Sequence, residues 1–170
     1  MTQPLVVQLR FARSEFVRCL EGLTDEDGRR RLGPMNSISW MIGHLANQEH
    51  FYWCVLAQEK FVVPGLNDLV GTGKPASTPP LGEMWEAWKL VTGTADPFLD
   101  SLEAARLSTF VELRGKPVRE SIGTQLQRTM YHYWFHTGEA HAVRQQLGHG
   151  DLPQFVGNMA NAEFGMGSVE

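Results

Sequence analysis

The chain has 170 residues, of which 42% are hydrophobic and 20% are charged, and its formal net charge at pH 7 is −4. This composition is ordinary for a folded globular protein that buries one substantial core. The absence of a basic run argues against nucleic acid as the main partner, and no apolar run approaches the roughly 18 residues of a membrane-spanning helix. Because the first residues lack the basic flank and apolar stretch of a secretion signal, we expect a cytoplasmic location and no membrane partner.

Hydrophobic periodicity predicts four long helices and little strand. We expect the first helix over about Pro4 to Leu23, and the second from the N-cap candidates Asn36 or Ser37 to about Glu59. The third helix is expected from Leu81 to about Ala105, with a kink at Pro97, and the fourth from Ser121 to Gly148. Four long helices joined by mixed loops are typical of an all-α four-helix bundle.

The connecting segments differ in composition. Residues 62–80, "VVPGLNDLVGTGKPASTPP", are predicted to form a loop, and loops of this length are often functional lids. Thr24 followed by Asp27 indicates a short capped turn, and residues 106–121 indicate a short strand or hairpin. Residues 150–170 have no strong period, so we expect them to be a C-terminal extension of a single domain that spans residues 1–170.

Four of the six histidines lie in the stretch "MYHYWFHTGEAHAVRQQLGH", residues 130–149. On a helix, His132 and His136 lie one above the other on the same face, whereas His141 points roughly 140° away from His136. His149 follows Gly148 at the end of the helix, where capping explains it. This stretch therefore presents a pair of histidines, and a third ligand has to come from elsewhere in the chain.

The second helix, in "SISWMIGHLANQEHFYW", offers that third imidazole. The stripe centred on His44, which we expect to face inward, comprises Ser37, Met41, Gln48, Phe51 and Val55. The corresponding stripe of the fourth helix comprises Gln125, Thr129, His132, His136, Glu139 and Val143. His50 lies about 120° from His44 and is expected to be partly exposed or interfacial.

Three imidazoles from two facing helices can converge on a metal ion, as ligands do in other bundles. Because neutral imidazole is a common metal ligand and three ligands leave a coordination position open, such a site would be catalytic in type. The alternative is that each histidine is a hydrogen-bonded core residue, since buried polar groups are normally paired and HxxxH is frequent by chance. The residues alone leave both interpretations open.

Several common enzyme signatures are absent from the sequence. The ExxH motif of di-iron bundles does not occur, because Tyr52 follows Glu49 and Ala142 follows Glu139 at that spacing. HExxH, GxSxG and GxxxxGK[ST] are also absent. The commonest zinc-protease, serine-hydrolase and phosphate-loop interpretations are therefore excluded.

The two histidine-bearing stretches resemble the DinB/YfiT-like superfamily of metalloenzymes. The stretch around His44 is similar to that superfamily's second helix, and "HYWFHTGEAHAVRQQLGH" is similar to its last helix, whose HxxxH pattern matches His132 and His136. The resemblance implies a DinB-like four-helix bundle with His44, His132 and His136 as the ligands of a divalent metal such as zinc, nickel or iron. Thr137 and Glu139 stand where many relatives have Arg and Gln.

The resemblance implies small-molecule substrates and two kinds of reaction. Some relatives are transferases or isomerases that use a low-molecular-weight thiol as cosubstrate, and others are described as metal-dependent hydrolases. A non-catalytic sensor or stress-induced binding module is the alternative from another class. Glu139 and Gln48, each about one turn from a ligand, are candidates for general acid/base catalysis or for support of the ligands. Glu139 could also orient a ligand histidine or pair with Arg144.

The aromatic residues and the two cysteines predict which side chains are buried and whether the chain forms a dimer. Trp53, Tyr131 and Trp134 lie off the histidine faces, and a helix that is apolar on more than one side needs a second partner, which predicts a homodimer. The tryptophans as a group are expected to fill the core or the dimer interface. Cys19 and Cys54 lie in apolar helical patterns and are expected to be buried, reduced thiols.

Overall fold

Helices make up most of residues 2–160 and 162, which are the part of the chain that this computed structural model describes. The helices are α1 (Pro4–Cys19), α2 (Asp25–Arg29), α3 (Ile38–Glu49), α4 (Leu66–Val70), α5 (Leu81–Asp100) and α6 (Ile122–Gln146). Helix α3 continues directly into a π-helix over His50–Leu56, and a 3-10 turn covers Ala104–Ser108. An antiparallel hairpin of β1 (Phe110–Leu113) and β2 (Lys116–Ser121) precedes α6. The predicted all-α fold with a short hairpin is confirmed.

Side-chain caps fix the starts of the helices that carry the histidines. The Ser37 hydroxyl accepts a hydrogen bond from the backbone N–H of Trp40 at 3.2 Å, and the Ser121 hydroxyl accepts one from Thr124 at 3.3 Å. Each bond satisfies a backbone donor that has no partner within its helix. Of the two N-cap candidates for α3, Ser37 is therefore confirmed, as are the predicted start of α6 at Ser121 and the turn capped by Thr24.

The bundle core lies between α1, α3, α5 and α6, with α1 packed on α6 and α3 packed on α5. Its largest fully buried side chains include Trp53, Phe16, Leu45 and Leu126. Cys19 and Cys54 are buried free thiols, as predicted. Apolar side chains from all four long helices thus meet in one continuous cluster, which holds α3 and α6 face to face.

A buried polar network also joins these four helices. The carboxylate of Glu49 in α3 pairs with the guanidinium of Arg13 in α1 and accepts a hydrogen bond from the Tyr133 hydroxyl of α6 at 2.6 Å. The indole N–H of Trp88 in α5 donates to the same hydroxyl at 2.6 Å. Burial, followed by the charge of Glu49, raises the pKa of Tyr133 well above its ordinary value.

Several predicted boundaries were wrong. Helix α1 ends at Cys19 instead of Leu23, because the chain turns there and Gly22 adopts a left-handed conformation with φ of 72°. Helix α5 passes through Pro97 but ends at Asp100, before the predicted Ala105. The segment predicted as a loop over residues 62–80 contains the short helix α4, whose Leu66 and Val70 are buried.

The prediction that His50 is partly exposed or interfacial was also wrong. His50 is buried, and its Nε2 accepts a hydrogen bond from the backbone N–H of Val62 at 3.0 Å. Trp53 is fully buried within the bundle, in agreement with the core role expected of the tryptophans, and it is therefore not available to a second subunit. None of the helices in the described part of the chain is sufficiently long and apolar to cross a membrane.

Candidate metal centre

The three histidines predicted as ligands lie together between α3 and α6. His44 comes from α3, and His132 and His136 come from successive turns of α6. One ring nitrogen from each lies within 4.8 Å of the others, and the Nε2 atoms of His132 and His136 are 2.9 Å apart. This three-histidine group could hold a metal ion.

The other ring nitrogen of each histidine already has an oxygen partner. His44 Nδ1 lies 2.8 Å from the backbone carbonyl of Val70, and His136 Nδ1 lies 2.8 Å from Glu139 Oε2. His132 Nδ1 lies 2.9 Å from Gln48 Oε1. Because a carbonyl or a carboxylate oxygen only accepts hydrogen bonds, these partners assign the proton of each neutral ring to Nδ1. Each Nε2 therefore keeps its lone pair for a metal.

Burial favours the neutral form of His44 and His132. Burial, followed by the neighbouring His136, His44 and Arg128, lowers the pKa of His132 to about 3. Burial also lowers the pKa of His44, against the opposing effect of its bond to Val70. The Nε2 atoms of His132 and His136 face each other at 2.9 Å, and a cation held by this group would bind the lone pairs of both. Three neutral imidazoles suit zinc, nickel, copper and iron, so these residues fit a divalent metal.

Trp40 and α4 hold His44 in place. The indole ring of Trp40 stacks on the imidazole of His44 with ring centroids 4.3 Å apart and an interplanar angle of 16°. The imidazole of His44 is also held by the hydrogen bond between its Nδ1 and the backbone carbonyl of Val70 in α4. Sequence reasoning assigned Trp40 to bulk packing, although its position four residues before His44 places it on the same helix face. The part played by Val70 has no sequence signal, since every residue has a backbone carbonyl.

Two cavities meet at the histidines. The larger has a volume of about 1030 Å³ and reaches His44 and His132. The smaller has a volume of about 350 Å³ and reaches all three histidines together with Trp40. Thr72, from the segment over residues 62–80, borders both cavities. The predicted role of that segment as a lid stays a prediction.

Two members of the stripe predicted around His44 do not lie in the bundle core. The straight stripe predicted around His44 ends at Gln48, and Phe51, the next member, is 46% exposed and lines the larger cavity with Val55. The prediction that Phe51 and Val55 face the bundle interior was therefore wrong. Phe51 and Val55 still share a face with His44 and Gln48, since all four line this cavity, but that face opens onto the cavity at this point and not into the core. The two residues lie in the π-helix, and such segments are frequently found at functional sites.

The remaining histidines lie outside the three-histidine group. His141 packs against Phe155, with ring centroids 5.6 Å apart. His149 Nδ1 accepts a hydrogen bond from Arg144 Nε at 3.0 Å.

Glu139 contacts a ligand histidine and not Arg144. The partner of Glu139 is His136, whereas Arg144 donates to the backbone carbonyl of Cys19 at 2.5 Å. Of the two structural roles considered for Glu139, its contact is therefore the one that orients a ligand ring.

The fold and the site define a helical bundle with a candidate three-histidine metal centre. A sequence model of the DinB superfamily matches residues 8–140, a span that includes all three histidines and Glu139. The chain therefore belongs to the DinB superfamily, as the resemblance predicted. A comparison with curated proteins gives no match.

Proposed function

We propose that this protein is a divalent-metal-dependent enzyme whose ligands are the Nε2 atoms of His44, His132 and His136. The observation that supports this assignment most strongly is the set of oxygen partners on all three Nδ1 atoms. These partners orient the rings and leave three lone pairs directed at one another. A site with three protein ligands keeps a coordination position for a small molecule, which is the arrangement of catalytic centres.

We further propose that the enzyme is an S-transferase that uses a low-molecular-weight thiol. Among the described residues, no aspartate or glutamate lines either cavity, and Glu139 and Gln48 are both bonded to ligand rings. A bound divalent ion would favour the deprotonated form of a coordinated thiol or of a coordinated water, so neither nucleophile needs a carboxylate base here. The support for a thiol nucleophile is the family resemblance, since some relatives use a low-molecular-weight thiol as cosubstrate.

In the proposed reaction the thiol releases its proton to solvent and its sulfur attacks an electrophilic carbon. The new S–C bond forms as the bond to the leaving group breaks, and the leaving group departs with its electron pair. The two cavities at the histidines provide space for two molecules that meet at one point. Glu139 and Gln48 act as positioning residues, because each bonds to the Nδ1 atom of a ligand ring. The proposed metal-binding atom of each ring is the other nitrogen, Nε2.

A cobalt-substituted protein tests this proposal. Titration with mercaptoethanol should produce a saturable sulfur-to-metal charge-transfer band, and chlorodinitrobenzene should be consumed with release of chloride only when thiol is present. Both signals should be lost in His132→Ala and retained in the control His141→Ala. If thiols bind but only inhibit hydrolysis of an ester substrate, the enzyme is a hydrolase. A cobalt ion that no thiol or small anion reaches would contradict both reactions and favour a non-catalytic binding module.

A further inference from the structure

The larger cavity has three large aromatic side chains on its wall that are exposed to it. Phe51 is 46% exposed, Phe61 is 67% exposed and Tyr131 is 66% exposed. Single exposed apolar residues are common on proteins, but several around one cavity are typical of a site where a ligand covers them. These rings lie on three separate segments, so their convergence is a property of the fold.

The fold holds these rings around the cavity. Phe51 belongs to the π-helix, and Tyr131 belongs to α6, one residue before His132. Phe61 lies beside the buried ring of His50, with centroids 5.2 Å apart, and the hydrogen bond from Val62 to His50 fixes the backbone that follows it. Rings presented in this way provide flat apolar surfaces for stacking next to the candidate metal centre.

The polar groups of the cavity are almost all uncharged. Beside the histidines, they are the amides of Asn47, Gln48, Asn67 and Gln127 and the hydroxyls of Thr72, Thr124, Tyr52 and Tyr131. Apart from histidine, Arg128 is the only charged side chain among the described residues of the lining. Its guanidinium pairs with Glu120 through two contacts, one of them 2.8 Å from Nε to Oε2. The cavity therefore offers neutral hydrogen-bonding groups and no uncompensated charge.

We propose that the larger cavity binds the uncharged aromatic body of the electrophilic substrate and selects against a fixed negative charge. This inference rests on the proposed function, because it places that body beside the metal and the thiol. A charged group of either sign against this wall would lose water, and it would find no unpaired counter-charge among the lining side chains, because Glu120 already neutralises Arg128. An uncharged ring stacks on the exposed aromatics and leaves its polar substituents to the amides.

Two fluorescent probes that differ by one sulfonate test the proposal in the metal-free protein, where no divalent ion attracts the sulfonate and the side chains of the wall alone decide the preference. N-phenyl-naphthylamine is uncharged, and anilinonaphthalenesulfonate has the same ring system with a fixed negative charge. We expect the uncharged dye to bind at one site per chain, about tenfold more tightly than the sulfonate. Tyr131→Ala should weaken binding of the uncharged dye by about three- to tenfold, because an aromatic contact and its buried area are lost.

Phe135→Ala is the matched control, since Phe135 is 67% exposed on the next turn of α6 and borders the smaller cavity instead. It should leave binding of the uncharged dye unchanged. Glu120→Gln removes the charge that neutralises Arg128, so this variant should bind the sulfonate dye more tightly than the unaltered protein does. The two substitutions thus test the aromatic and the electrostatic parts of the argument separately.

Equal affinity for the two dyes, or equal losses in Tyr131→Ala and Phe135→Ala, would overturn the inference. A change of sedimentation rate in Tyr131→Ala would also overturn it, because the ring would then belong to a subunit interface. Loss of dye selectivity while the cobalt–thiol band persists refutes this inference alone. Selective dye binding in a protein that binds neither metal nor thiol refutes the proposed function alone.

Discussion

Removal of the oxygen partners of the ligand rings should weaken metal binding in a defined order. Glu139 accepts from His136 Nδ1 at 2.8 Å with a charged oxygen, and Gln48 contacts His132 Nδ1 at 2.9 Å with a neutral one. A hydrogen bond to a charged group contributes about 1.5–3 kcal/mol, and a neutral one contributes about 0.5–1.5 kcal/mol. At about 1.4 kcal/mol per tenfold change, we expect Glu139→Ala to raise the metal dissociation constant by about 10- to 100-fold.

The same conversion gives an increase of about 2- to 10-fold for Gln48→Ala. Gln127→Ala is the control, since Gln127 lines the same cavity as Gln48 and forms no hydrogen bond with a ligand histidine. Competition with a chromophoric chelator measures all three constants. The reasoning is refuted if Gln48→Ala weakens binding as much as Glu139→Ala, or if Gln127→Ala weakens it at all.

Three other predictions concern stability and assembly. Glu49→Ala leaves the guanidinium of Arg13 buried without its main partner, so the free energy of unfolding should fall by about 3–5 kcal/mol, whereas Glu120→Ala, which removes an exposed pair, should cost at most about 1 kcal/mol. Urea denaturation measures both, and equal losses would contradict the assigned role of the buried network. The pKa of His132 is about 3 in the folded chain because of burial and the neighbouring histidines and Arg128, and it is about 6.5 when unfolded, so the unfolded state takes up the proton first. The metal-free protein should therefore lose stability as pH falls below about 6.5, with a smaller slope in His132→Gln, and a flat profile between neutral pH and pH 4 would oppose this. The homodimer stays a prediction that sedimentation tests, and a species of only monomer mass at micromolar concentration would exclude it.

The dimer prediction now rests on fewer residues than the sequence indicated. Trp53 is part of the bundle core, and Trp134 packs against Phe11 and Phe155. Tyr131 remains 66% exposed, but it lines the larger cavity. Helical periodicity shows which side chains lie off the face that carries the histidines. It does not show whether those side chains pack against the same chain or against a second subunit.

Much of the candidate site could be predicted from local patterns. The helical repeat places His132 and His136 on one face, and the N-caps Ser37 and Ser121 fix where the two relevant helices begin. Once α3 and α6 face each other in a bundle, His44 meets that pair. The single domain over residues 1–170 and the extension from residue 150 stay predictions.

Features that depend on distant pairing or on irregular backbone could not be predicted. The partners Arg13, Glu49 and Tyr133 come from three helices, and periodicity gives no information about which charged groups meet inside. The π-helix over His50–Leu56 is an irregular backbone that regular helical periodicity does not predict. The Val70 carbonyl reaches His44 because α4 forms in a segment rich in turn residues. Local propensity carries no signal of either feature.

Elemental analysis of the purified, unchelated protein tests the central claim most directly. We predict about one divalent metal ion per chain, and none in His44→Ala, His132→Ala or His136→Ala, because each Nε2 supplies one of three ligands. The controls His141→Ala and His149→Ala should keep the metal content of the unaltered protein. Absence of metal from the unaltered protein, or equal loss in the two controls, would contradict the account.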